Sequence, residues 1–377
     1  MALMRVLGLM SGTSMDGVDA AVIVTDGEDV VDFGPRLFRP YNPGERTTLR
    51  GAAFEARRIA DRTSRQGLLA RAEEIVTEVH VQTVERLMRD NRLKPGSMAV
   101  DGQPDPSGID LIGFHGQTVF HAPEKRLTVQ IGDGRALATR AGVPVVYDFR
   151  AADVAAGGEG APLVPIYHQA LVRRSRLGGT VAVVNIGGVA NITRVAPDGS
   201  LIAGDTGPGN ALLDDLVRAR TGATMDAGGA IGARGRVDQK ALTQLLANPY
   251  FERPFPKSLD RDAFSIGAVG EFSTEDALAT LTALTVETIM RGVEVAGGAD
   301  RLIVAGGGAQ NTLLMRRLKA RAGMPTASAT EVGWSADFLE AEAFAYLAAR
   351  RLRGLPITFP TTTRVAMPLA GGVLVNP

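Results

Sequence analysis

The sequence predicts two related α/β domains in one chain, with a ligand cleft between them. Three observations predict it. The chain has 377 residues, more than a single hydrophobic core ordinarily serves. One order of elements, three short strands followed by alternating helices and strands, runs twice, from Arg5 and again from Val181. The 45 glycines gather beside apolar runs, at 157–160, 187–188, 207–209, 228–235 and 306–308, where a main chain without Cβ atoms can come close to a ligand.

In the first half, RVLGLMSGT, VDAAVIVTD and DVVDFGPRLF are apolar runs separated by Gly and Asp turns, which predicts an antiparallel meander. Apolar Ile75, Val79, Val84 and Leu87 among charged residues predict a helix over Gln66–Asn91. A buried strand (IDLIGFHG), a short strand (LTVQIG), a helix over Gly134–Ala141 and a strand (PVVYDF) follow, and APLVPIYHQALVRR leads out as a helix. The Pro/Gly/Asp-rich stretch 90–108 reads as a surface loop.

In the second half, VAVVNIGG, VANITRV and LIAGDTG repeat the three-strand opening, and helices follow near 209–221 and 237–247. ALATLTALTVETIMRGVEVA reads as a long helix, RLIVAGGG as a strand and LEAEAFAYLAARRL as a final amphipathic helix. The expected domains are 1–178 and 179–377, with the last helix packing back on the first domain.

Hydrophobic residues make up 45% and charged residues 22%, the balance of a soluble globular protein. Lys plus Arg and Asp plus Glu both number 41, so no net field draws the chain to nucleic acid or an anionic membrane, and the run Arg173, Arg174, Arg176 reads as a solvated face. With no cysteine, disulfides, thiolate metal sites and thiol nucleophiles are excluded. No stretch has the length of a membrane span, and MALMRVLGLM passes into SGTSMDG with no room for a signal peptide, so a cytoplasmic protein is expected.

The motifs carry the chemistry. In GLMSGTSMDGVD, successive N–H groups and the hydroxyls of Ser11, Thr13 and Ser14 suit an anion, though a polar hairpin turn explains the pattern equally well. It is no Walker A loop, since no Lys follows a Gly. DTGPGN sets Asp205 at a strand end, placed as a general base, with the Gly207 and Gly209 N–H groups available to phosphate; a capping Asp is the plainer account. GGGAQN follows a strand and suits adenine or ribose against bare backbone, or simply a tight strand–helix turn. His115, Gln117 and Thr118 in FHGQT, and Asp148 and Arg150 in DFR, stand at strand ends as hydrogen-bonding groups for sugar hydroxyls. Asp148 and Arg150 share a face if the strand runs that far, and a simple ion pair explains them as well. PKSLDRD offers cations to an anion, with a solvated loop as the plainer account.

GLMSGTSMDGVD, FHGQTVFH, VQIGDG, DFRAADVAAGGEGAPLVP, NIGGVANIT, DTGPGNALLD, PKSLDRD, GGGAQN and LEAEAFAYLA stand in this order from about Val6 to Arg351, and together they resemble the anhydro-N-acetylmuramic acid kinases. The resemblance implies two actin-like (ribonuclease H-like) α/β domains. It also implies an ATP-dependent kinase that hydrolytically opens the anhydro ring of 1,6-anhydro-N-acetylmuramic acid and phosphorylates its 6-oxygen, in peptidoglycan recycling. Carried over, Gly12, Thr13, Ser14, Met15, Asp16, Gly17, Val18 and Asp19 form the ATP phosphate loop and Asp205 is the catalytic base. Gly187, Gly188, Gly207, Gly306, Gly307, Gly308 and Asn311 lie on the nucleotide side. His115, Gln117, Thr118, Asp148, Arg150 and Glu340 lie on the sugar side. Mg²⁺ is implied with ATP. The acid usual at the head of the first phosphate loop is replaced by Met10, which leaves Asp16 or Asp19, directly or through water, for the metal. A homodimer is inherited from the same resemblance. Two other readings stand beside this one: a kinase for another sugar or a carboxylate, and a nucleotide-dependent binding protein of chaperone or actin type.

Overall fold

The computed structural model describes residues 2–96 and 104–377. They divide into two compact units, Met1–Arg174 joined by Phe338–Pro377, and Ser175–Asp337. Of the loop expected over 90–108, residues 97–103 lie outside the described residues. Its flanks pair as a short parallel ladder, Lys94–Pro95 with Gly108–Ile109.

In the first unit, strands Met4–Ser11, Gly17–Thr25 and Val30–Pro40 form the antiparallel meander. Strand Leu111–Ala122 then pairs parallel with the first, and Val145–Tyr147 parallel with that. Leu127–Ile131 folds back antiparallel on Leu111–Ala122, and Val373–Val375 closes the edge. Two-residue alternation sorts the faces. Leu7 and Leu9, with Ile112 and Phe114, join the core under helices Pro43–Ala56 and Gly67–Asp90. The intervening Gly8 and Gly113 face helix Leu339–Leu352 at bare-backbone distance. A Cβ on Gly8 would lie 1.8 Å from the Ala341 carbonyl oxygen, and one on Gly113 would lie 2.1 Å from that of Phe344. The alanines of LEAEAFAYLAARRL permit this approach, so the returning C-terminal segment is an integral layer of the first unit. The basic run at its other boundary is partly tied down: Arg174 donates to the Val30 carbonyl at 2.9 Å and covers the Phe33 ring.

In the second unit, Val181–Ile186, Val189–Val195 and Leu201–Pro208 form the equivalent meander. Arg301–Ala305 and Thr326–Ser328 add parallel to the first of these strands. Helix Thr274–Val295, capped by Ser273, covers one face. The strand order, third–second–first–fourth–fifth with only the second antiparallel to its neighbours, is therefore the same in both units, and it is the order of the actin-like, ribonuclease H-like fold.

Candidate active site

The first hairpin of the first unit turns through Gly12–Asp16. The turn is closed by a Met15 N–H to Gly12 carbonyl bond of 3.0 Å, with Met15 in the left-handed region at φ 55°. Thr13 and Ser14 are exposed, and a Cβ on Gly12 would meet nothing nearer than 3.9 Å, so the crest is open to a ligand. Met15 and Val18 point into the core, and only their backbone can serve a phosphate. The turn is held from beneath by side chains. Ser11 donates to Gln117 Oε1 at 2.6 Å and lies 3.1 Å from the Tyr41 hydroxyl, while Gln117 Nε2 donates to the Gly12 carbonyl at 3.1 Å. Gln117, expected on the sugar side, is fully buried and braces the phosphate loop. Asp19 stands directly across the hairpin from Met10. Opposed residues share a face, so Asp19 presents its carboxylate on the side where the first strand lacks one. Asp16 is exposed and paired with Arg46 at 3.2 Å.

The strand-end groups of the first unit form a relay. His115 is buried, and burial together with the Arg150 charge pushes its pKa down to about 3, so it is neutral. Its Nδ1 lies 2.8 Å from the Gly116 carbonyl and must carry the proton, which leaves Nε2 to accept from Arg150 Nη2 at 3.2 Å. Arg150 also donates through Nη1 to the Gly160 carbonyl at 2.9 Å. Burial pulls its pKa down to about 10, with Glu340 opposing, and it remains a cation at neutral pH. Glu340, in the first turn of helix Leu339–Leu352, is solvent-exposed and is the acidic group whose charge favours the Arg150 cation most. Asp148 and Arg150 do not share a strand face, because the strand ends at Tyr147 and Asp148 turns to φ 57°. Nor do they pair with each other: Asp148 pairs with Arg62. The Asp148 carboxyl is raised by burial, partly offset by Arg62. Arg62, Arg65, Glu73, Gln130, Tyr147 and Asp148 line a pocket of about 270 Å³ that His115 also borders. Thr118 Oγ1 is buried with no partner among the described residues.

In the second unit Asp205 lies in strand Leu201–Pro208 beside a bulge at Ala190/Asn191, the kind of irregularity that re-aims a side chain. It is half-buried, and its Oδ2 accepts the Leu259 N–H at 2.8 Å. Its own N–H donates to the Lys257 carbonyl at 2.7 Å, and its carbonyl accepts the Tyr250 hydroxyl at 2.9 Å. The Gly187-Gly188 turn is clamped by main chain: Gly209 and Ala211 N–H donate to Gly188, and Asn210 N–H to Gly187. The Gly209 N–H is thus occupied within the fold and is not the phosphate donor the motif suggested. Neither Gly187 nor Gly188 would bring a Cβ closer than 3.6 Å to anything, so this turn too is open. Gly306, Gly307 and Gly308 divide. A Cβ would meet Asn185 Oδ1 at 2.3 Å from Gly306 and Ile186 Cγ2 at 2.4 Å from Gly308, whereas from Gly307 the nearest atom is Asn210 Nδ2 at 3.7 Å, an ordinary contact. Gly207 is likewise needed for packing, with Thr288 at 2.7 Å, and Asn311 caps the following helix through Leu314 N–H at 3.0 Å.

A model of the anhydro-N-acetylmuramic acid kinase family matches residues 4–376. The chain belongs to that family. It is 51% identical to the anhydro-N-acetylmuramic acid kinase of Methylobacterium nodulans over 99% of this chain and 100% of that one. It is 52% identical to that of Azorhizobium caulinodans with the same coverage, and 48% identical to that of Bradyrhizobium diazoefficiens over both chains entire.

In this member of the anhydro-N-acetylmuramic acid kinase family, one group of residues escaped sequence reasoning and another, PKSLDRD, was read too plainly. Arg62, Arg65 and Glu73 sit after an unpredicted helix, Pro43–Ala56; its start was legible as Asn42-Pro43-Gly44-Glu45, a capping box with Pro at the first helical position. PKSLDRD is not simply a solvated loop, because Lys257 is only 5% exposed and the loop carries the main-chain partners of Asp205. No helix among the described residues is long and apolar enough to cross a membrane, and no described cluster of three acidic, His or Cys side chains could hold a metal by itself.

Proposed function

We propose that this chain phosphorylates 1,6-anhydro-N-acetylmuramic acid with ATP and opens its anhydro ring with water. N-acetylmuramic acid 6-phosphate and ADP are the products. Asp205 takes a proton from a water molecule, whose oxygen forms a bond to C1 of the sugar. The C1–O6 bond breaks, and O6 takes the γ-phosphoryl group as its bond to the β-phosphate oxygen of ADP breaks. An acid is needed at the leaving oxygen in ordinary inverting glycoside hydrolysis; here the arriving phosphoryl group stands in for it. Phosphoryl transfer itself depends mainly on positioning and charge neutralisation.

The observation that carries this reading is the fixed Asp205 carboxylate, held by a backbone N–H in a chain of the anhydro-N-acetylmuramic acid kinase family. The open turns at Gly12–Asp16, Gly187-Gly188 and Gly307 would receive the nucleotide through backbone N–H groups. The cationic Arg150, oriented by neutral His115, with Glu340, Asp148 and Thr118, would bind the sugar. Mg²⁺ neutralises phosphate charge when bound, and Asp19, with Asp16, offers the hard oxygen ligands it takes alongside water and phosphate. A cytoplasmic homodimer is part of the reading, checked by light scattering in solution.

The test is ADP release with MgATP and 1,6-anhydro-N-acetylmuramic acid beside a sugar-free control. Sugar-dependent turnover to a ring-opened 6-phosphate is the expected result. ADP release that ignores the sugar, or that needs an ordinary hexose instead, would displace it.

A further inference from the structure

Lys257 has no place in the chemistry above, yet it is among the most completely buried charged side chains of the second unit. Its Nζ donates to the Tyr250 carbonyl at 3.0 Å and to the Phe251 carbonyl at 3.1 Å. It lies 4.7 Å from the centroid of the Tyr250 ring and 5.0 Å from that of Phe255. Burial lowers its pKa to about 8, with Glu252 and Asp205 favouring the cation and Arg253 opposing it. Burying an ammonium is costly unless its donors are satisfied, and here main-chain carbonyls and aromatic faces satisfy them.

Those contacts close a ring around Asp205. The Tyr250 hydroxyl donates to the Asp205 carbonyl. The Tyr250 carbonyl takes the Lys257 ammonium. The Lys257 carbonyl takes the Asp205 N–H, and two residues on, the Leu259 N–H holds the Asp205 carboxylate. A Cβ on Gly204 would strike the Lys257 carbonyl oxygen at 2.6 Å and its nitrogen at 2.8 Å, so the two segments are in full backbone contact.

We infer that Lys257 is a positioning residue for the base: its side chain anchors the segment whose Leu259 N–H fixes the Asp205 carboxylate. The inference rests on the reading of Asp205 as the base. A carboxylate that accepts a backbone N–H is favoured in its charged form, so loosening the segment both misplaces the base and raises the pH at which it becomes active.

The experiment is a pH profile of kcat and KM for the full chain and for Lys257→Met, Lys257→Arg and Tyr250→Phe, with Asp205→Asn as reference. In Lys257→Met, kcat falls roughly tenfold to a hundredfold, the loss expected when a reacting group is displaced by about 1 Å. KM for ATP stays unchanged, and the acidic limb of kcat/KM moves up by roughly one pH unit. Lys257→Arg recovers part of kcat, and Tyr250→Phe, which removes one link and keeps the ammonium site, gives a smaller shift in the same direction. The inference is overturned if Asp205→Asn is inactive while neither Lys257→Met nor Tyr250→Phe moves the acidic limb. It is also overturned if Lys257→Met does not fold and Tyr250→Phe leaves the limb in place. Full activity in Asp205→Asn removes the underlying reading instead, so the two failures are distinct.

Discussion

The two units share one strand order, and each begins with a hairpin whose turn is open to a ligand, but they fasten those turns differently. In the first unit the Gly12–Asp16 turn rests on side chains, Ser11, Tyr41 and Gln117. In the second, Gly187-Gly188 is gripped by the N–H groups of Gly209, Asn210 and Ala211. The same division runs through the rest of the site. Arg150 is oriented by a histidine side chain, whereas Asp205 is held mostly by main chain. Backbone fastening survives most single substitutions, and side-chain fastening does not. The first unit is therefore where titration and point mutation should act most.

The largest such effect concerns acid. All 4 histidines of the chain, His80, His115, His121 and His168, belong to the first unit. Burial depresses His80 to about 4, and His115 and His168 to about 3. A histidine kept neutral by the fold binds its proton more readily when unfolded. The stability it contributes is full above the ordinary value of 6.5 and is lost as pH falls towards the folded value. Between pH 6.5 and 5 each of these three buried rings withdraws about 2 kcal/mol. Hydrogen exchange followed from pH 7 to 5 should show protection falling in the first unit and holding in the second. Equal loss in both would break the comparison.

A smaller effect sharpens it. Gln117→Leu keeps the bulk and removes the amide that joins Ser11 to the Gly12 carbonyl. Loss of buried hydrogen bonds of this kind costs about 1–3 kcal/mol. The variant should fold with a lowered Tm, and KM for ATP should rise about tenfold with little change in kcat, read by steady-state kinetics. An unchanged KM would mean that the turn keeps its shape without its brace.

How much of this was legible in the sequence depends on the range of the interaction. The meanders, the helix over Gly134–Ala141 and the repeated order followed from local alternation and turn residues, which are properties of neighbours in the chain. Gln117 and Lys257 were singled out as polar positions, but whether such a side chain points to solvent or inward depends on partners far away. Gln117 meets Ser11 and Gly12 across parallel strands, and Lys257 meets carbonyls that no polar pattern announces. Asp148 and Arg150 would share a face, as sugar ligands or as an ion pair, only if the strand continued through them. One left-handed residue sent them to different partners.

The most direct test of the account is Asp205→Asn, assayed for sugar-dependent ADP release and, separately, for nucleotide binding by calorimetry. Asn keeps the size and an acceptor for the Leu259 N–H but cannot take a proton from water. Removal of a general base costs about 10²–10⁴-fold, so turnover should fall by at least that range while ATP binds as in the unaltered chain. Turnover near the original rate would show that another group activates the water and that the ring around Asp205 serves the fold alone.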